Sequence, residues 1–141
     1  MVATTGASLL PSEALKALRT SLLPLTTVLT PNAPEARLLL ADAGYGHITI
    51  DSIADLETIA KTVQSLGPEW VLVKGGHCPF RRDGAAAKTA EEKQIVVDVL
   101  YGHGRAVHIE TPYQESRNTH GTGCSLACKP SGLVHDSAFS V

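Results

Sequence analysis

No run of like charge marks this chain. Its 12 lysines and arginines stand against 14 aspartates and glutamates, leaving a net charge of −2. That balance argues against nucleic acid or an acidic membrane surface as a partner. No uninterrupted apolar stretch is long enough to span a bilayer. The opening, Met1 to Leu10, lacks the basic flank and long apolar region of a signal peptide. Cysteine is scarce: there are three, which cannot all pair. With no secretory signal ahead of them, a reducing, cytoplasmic setting is expected. Internal repeats and low-complexity segments are also missing. What remains is a globular composition, 43% hydrophobic and 18% charged, and 141 residues is one domain's worth of chain.

The patterning predicts an α/β layer fold. Met1-Val2-Ala3-Thr4-Thr5-Gly6 reads as the end of a buried strand entering a loop. Leu15, Leu18 and Leu22 recur at helical spacing behind Ser12, an expected N-cap, and Pro24 is expected to end that helix. Thr26 to Thr30 is a short β-rich segment closed by Pro31. Asn32 is the expected N-cap of a second helix that carries Pro34 and Glu35 in its first turn and stops at Gly44. A third helix spans Ser52 to Leu66, with Ile53, Leu56, Ile59, Ala60 and Val63 on one face. Trp70-Val71-Leu72-Val73 suits a strand buried on both faces of a parallel sheet. Phe80 to Glu92, polar and alanine-rich, is expected to be a mobile loop. Two strands, Ile95–Tyr101 and Arg105–Glu110, are joined by Gly102-His103-Gly104 as a hairpin, and a last helix begins near Leu126.

Three places carry candidate chemistry. In Asn118-Thr119-His120-Gly121-Thr122-Gly123-Cys124, two glycines leave the backbone free to approach a ligand just ahead of a helix start. Unpaired N–H groups and the helix dipole make such a place an anion site, although an ordinary turn before a helix has the same letters. Lys74, delivered by a strand end and followed by Gly75-Gly76, can meet a phosphate as a point charge or can be a solvated surface lysine. Glu35 suits the dipole of its helix, which is its simpler account; the sharper one puts it in a metal and phosphate site. His120, Cys124 and Cys128 have a spacing compatible with zinc, without a second ligand pair to support it. His77, His103 and His108 are scattered.

Taken in order, Thr30-Pro31-Asn32-Ala33-Pro34-Glu35-Ala36, Val71-Leu72-Val73-Lys74-Gly75-Gly76-His77 and Asn118 to Cys124 resemble the C-terminal half of a known family. It is that of the hydroxymethylpyrimidine/phosphomethylpyrimidine kinases of thiamin biosynthesis, in the ribokinase superfamily. The resemblance runs from about Met1 to Ala127. Cys124 is the discriminating residue, because most ribokinase relatives, including many pyridoxal kinases, carry aspartate there. The resemblance implies a ribokinase-like fold with a central, mostly parallel sheet and a cofactor pair of ATP and Mg²⁺. It further implies that Glu35 helps hold Mg²⁺, that Lys74, Asn32 and Thr119 bind the nucleotide's phosphates, and that Gly121, Thr122 and Gly123 form an anion hole. Cys124 would take the catalytic-base position, where a helix N-terminus lowers a thiol's pKa. The partner implied is a small pyrimidine, and a homodimer is an assembly common among such relatives.

Two departures shape the expectation. The family carries a longer N-terminal portion with further strands and a metal-site aspartate, and Met1-Val2-Ala3 reads like the tail of that portion. At the other end, Cys128-Lys129-Pro130-Ser131-Gly132 interrupts the expected helix, and residues 128–141 read as a divergent tail, like an out-of-frame or intron-derived extension. The reading is therefore an incomplete kinase domain over residues 1–127, with ATP-dependent phosphorylation of hydroxymethylpyrimidine and its monophosphate impaired. A related pyridoxal kinase, or a non-catalytic fragment or dimerisation remnant, are the alternatives.

Overall fold

The computed structural model describes residues 11–115. In chain order they form α1 (Ser12–Ala17), β1 (Val28–Leu29), α2 (Ala33–Asp42), α3 (Ile53–Gln64), β2 (Trp70–Val73), β3 (Ile95–Gly102) and β4 (Arg105–Pro112). The expected first strand near Met1, the helix near Leu126 and the 128–141 tail lie outside the described residues. The four strands make one mixed sheet in the order β1-β2-β3-β4; β1 runs parallel to β2, and the other two pairings are antiparallel. A parallel pair needs a long crossover, which α2 and α3 supply. The β3–β4 hairpin turns on His103 (φ 49°) and Gly104 (φ 74°), the paired positive φ values of a tight two-residue turn.

The core forms where α3 lies on the sheet. Leu56, Ile59, Ala60 and Val63 are fully buried, as their helical spacing predicts, against Val71 and Val73 of β2 and Ile95, Val97 and Val99 of β3. Side chains alternate across a strand, so these valines share one face while Leu72 points to the other. Leu72 is itself only 7% exposed, which gives β2 the two-sided burial its apolar run implies. Each buried leucine, isoleucine or valine among them contributes about 1.5–3 kcal/mol on leaving water. No charged or polar residue is buried among the described residues.

Glycine is required where elements come closest. A Cβ on Gly75 would stand 2.0 Å from the Val97 carbonyl oxygen, whereas one on Gly76 would meet nothing within 4 Å.

Helix α3 is capped by side chains. Asp55 N–H donates to Ser52 Oγ (3.3 Å), while the Ser52 hydroxyl and the Asp51 N–H both donate to Asp55 Oδ2 (2.8 and 3.0 Å). The Ser52 hydroxyl, ahead of the backbone N–H groups, holds the Asp55 carboxyl below its ordinary pKa; partial burial opposes this.

Three local expectations are corrected. Ser12 is the first helical residue and not the cap; Pro11 occupies the cap position and no side chain bonds there. Pro24 does not simply end the first helix. The helical path widens into a π turn at Leu18–Leu22 and then tightens to a 3₁₀ turn, Leu23–Leu25, that contains Pro24. The widened turn shifts the register by one residue, so Leu23 is buried and Leu22 is 56% exposed, the reverse of the even spacing from Leu15. The segment from Phe80 to Glu92 is pinned. Phe80 is fully buried and bridges to Ala86 and Ile95, Ala85 bridges to Ser52, and Gly84 turns the chain with φ 85°.

Two outcomes follow for stability. Gly75→Ala forces β2 and β3 apart at a backbone contact and should cost about 2–3 kcal/mol in urea unfolding, against about 0.5 kcal/mol or less for Gly76→Ala. Equal effects of the two substitutions would contradict the close approach. The Asp55 cap is a stability term whose folded pKa is lowered, so it is complete above the ordinary value of 3.8 and lost as pH falls below it through the folded value. Thermal unfolding of Asp55→Ala should therefore lie below that of the parent at pH 7 and converge with it as the pH is taken below that value.

Candidate functional site

The ladder between β1 and β2 continues past both strands to their C-terminal ends. Lys74 N–H donates to the Pro31 carbonyl at 2.9 Å, and Ala33 N–H donates to the Lys74 carbonyl at 3.2 Å, which makes a parallel bridge between Asn32 and Lys74. Two of the three sequence blocks therefore meet at one sheet end, where open α/β sheets hold their ligands. The third block does not enter this geometry: Thr119, Gly121, Thr122, Gly123 and Cys124 lie outside the described residues, as do His120 and Cys128 of the zinc alternative. Their chain leaves β4 from this same end, because Pro112 pairs with Ile95, the first residue of β3.

The α2 N-terminus is built from a reciprocal cap. Glu35 N–H donates to Asn32 Oδ1 (2.8 Å), and Asn32 N–H donates to Glu35 Oε2 (3.0 Å). Ala33 N–H is taken by the Lys74 carbonyl, Ala36 N–H by the Asn32 carbonyl (2.9 Å), and Pro34 has no N–H to offer. The first-turn donors that would otherwise attract an anion are thus already used. This helix end presents a half-buried carboxylate at Glu35, and that is chemistry for a cation. The cap fixes the direction of the carboxylate, as the dipole account of Glu35 requires.

Beyond β2 the chain turns sharply: Cys78 N–H donates to the Gly75 carbonyl at 2.7 Å. Lys74 is half-buried, Gly75 buried, and Gly76 exposed with open space in front. A lysine beside bare backbone is suited to a phosphate. Cys78, the cysteine among the described residues, is a poor reactive group: burial pushes its thiol up, and nearby Arg37 only partly offsets that.

One residue of the site was missed by the sequence reading. Asp98 on β3 accepts the Gly75 N–H at 2.8 Å through Oδ1. Burial pushes its carboxyl above the ordinary range, opposed by the Gly75 N–H and by the charge of Lys74. The signal available was a single carboxylate inside Ile95-Val96-Val97-Asp98-Val99-Leu100, an apolar strand in which aspartate is disfavoured.

Comparison with known proteins places the chain among relatives. The family model described as phosphomethylpyrimidine kinase matches residues 1–133. The chain is 38% identical over 141 residues to the chloroplastic thiamine biosynthetic bifunctional enzyme of Arabidopsis thaliana, covering 99% of this chain and 24% of that protein. It is 34% identical over 127 residues to the hydroxymethylpyrimidine/phosphomethylpyrimidine kinase of Bacillus subtilis, covering 90% of this chain and 40% of that one. The chain thus spans well under half the length of these relatives. Among solved structures, it superposes on an ADP complex of Bacillus subtilis pyridoxal kinase with a TM-score of 0.65 at 30% identity, over 90% of this chain and 42% of that one. A phosphomethylpyrimidine kinase of Clostridium difficile gives 0.56 at 30% identity, over 77% and 38%. The layered α/β architecture is accordingly the ribokinase-like one. By its sequence and its fold, this chain belongs to the phosphomethylpyrimidine kinase family.

Proposed function

We propose that the chain carries the phosphate end of a kinase site that transfers the terminal phosphoryl group of ATP to hydroxymethylpyrimidine and its monophosphate. The observation that carries this reading is the junction at which Lys74 and the Glu35-bearing cap of α2 are joined by backbone hydrogen bonds. Phosphoryl transfer depends mainly on positioning and on neutralising charge, and a lysine, a cation ligand and aligned N–H groups supply both. Lys74 binds the nucleotide's phosphates. Asn32 sets the direction of Glu35, and with Thr119 borders the phosphates. Gly121, Thr122 and Gly123 supply the anion hole, and Cys124 accepts the proton of the substrate's hydroxymethyl oxygen.

The donors fit Mg²⁺. No group of three or more acidic, histidine or cysteine side chains able to hold a metal occurs among the described residues. Glu35 is a single carboxylate, and Mg²⁺ is commonly held by one or two carboxylates together with substrate phosphates and water. When bound, it would neutralise charge on the phosphates; the role of Glu35 is to hold and orient it.

A second reading, phosphorylation of pyridoxal, draws on the solved pyridoxal kinase that shares this fold. Cys124 argues for the pyrimidine.

The test is calorimetric binding of ATP with Mg²⁺, followed by ADP release with hydroxymethylpyrimidine or with pyridoxal. Lys74→Met should weaken ATP binding by about tenfold or more, since a charge-assisted phosphate contact is lost. Turnover on the pyrimidine should exceed that on pyridoxal and fall by about 100-fold or more in Cys124→Ala. The opposite substrate order favours the second reading. Binding that is indifferent to Lys74 removes the phosphate site altogether.

A further inference from the structure

We infer that Asp98 is a positioning residue for Lys74: by holding the Gly75 N–H it fixes the backbone from which the phosphate-binding lysine extends. The inference rests on the reading of Lys74 given above and adds a residue on a different strand to it. The paired ladder of β2 and β3 ends at Val73↔Val99. Just beyond it, the Gly75 N–H turns to a side chain, Asp98 Oδ1, at 2.8 Å. On its other side the Lys74 peptide is held by backbone alone, through Pro31 and Ala33. The two sets of bonds clamp the residue from both neighbouring elements.

The placement is specific to a glycine. Because any Cβ at residue 75 would lie 2.0 Å from the Val97 carbonyl oxygen, β3 can approach closely enough for the carboxylate to reach the N–H. Aspartate is a costly choice for this strand, in both β-propensity and desolvation. Packing gives no reason for it, since its neighbours Val97 and Val99 fill the core face. What it supplies is an acceptor at the one N–H that follows the lysine. An interaction of this kind acts on Lys74 through the backbone, so its loss should be felt only while the lysine is present.

The experiment is a double-mutant cycle on the 141-residue chain, read as ATP binding by calorimetry, with thermal unfolding recorded for every variant. Asp98→Ala should weaken ATP binding by about fivefold or more in the parent and by less than about twofold in the Lys74→Met background. Asp98→Asn, which keeps an acceptor oxygen, should bind within about twofold of the parent. Should the alanine variant unfold, Asp98→Val, which suits a strand and has no acceptor, takes its place. Equal weakening in both backgrounds, or Asp98→Asn as weak as Asp98→Ala, would overturn the positioning role while leaving the phosphate site intact. A parent chain that does not bind ATP, or that binds it equally well without Lys74, overturns the phosphate-site reading and this inference with it. The Gly75 amide resonance separates the two cases: a downfield shift abolished by Asp98→Ala shows the clamp itself, whether or not nucleotide binds.

Discussion

The carbonyl oxygen of Val97 stands where any side chain at residue 75 would have to go. This steric condition lets β3 close on the end of β2, and the Gly75–Asp98 bond depends on that closeness. Backbone bonds to Pro31 and Ala33 hold Lys74, the residue after β2, level with the start of α2, and the chain beyond it turns back within three residues. Further along the hairpin a comparable intimacy recurs, where the Trp70 ring occupies the space a Cβ on Gly102 would need. The sheet is therefore tightened at both ends of β2 by the absence of a side chain, and at both ends the space goes to something specific: an aromatic ring at one, a polar clamp at the other.

The start of α2 shows how a structural device and a ligand site can share residues. The Asn32–Glu35 box satisfies the helix, as such boxes do in proteins with no ligand at all. Its neighbour Lys74 consumes a further donor with its carbonyl, so the helix end has no spare N–H in its first turn for a phosphate. The charged groups are divided accordingly: a carboxylate on this side, a lysine just past the end of β2.

Much of this was legible in the sequence because it followed from short-range chemistry. The stripe on α3, the apolar run of β2, the β3–β4 hairpin and the Asn32 cap each express a single local rule and are found, the hairpin loop being one residue shorter than read because Gly102 joins β3. The first helix was misread at Leu22 because one extra residue in a turn breaks a periodic pattern without changing its composition. The segment after Phe80 looked mobile for the opposite reason: its small polar letters outnumber the single aromatic that anchors it under the sheet. Asp98 was invisible as a partner of Gly75 since they are 23 residues apart and meet only through strand pairing. That one peptide links the element of Lys74 to that of Glu35 is likewise a fact of register, which no local pattern encodes.

Strand β4 is exposed along its whole length, and Val107 and Ile109 are 38% and 41% exposed. Such a ribbon is chemically ready to recruit another strand. The sequence counters this with what the strand carries: Arg105 at its start, Glu110 near its end, His108 tied sideways to Glu57 on α3 at 2.9 Å, and Pro112 as a residue that cannot donate. The hairpin thus bears its own deterrent to edge-to-edge strand pairing, set by the charges and the proline that its outer strand carries.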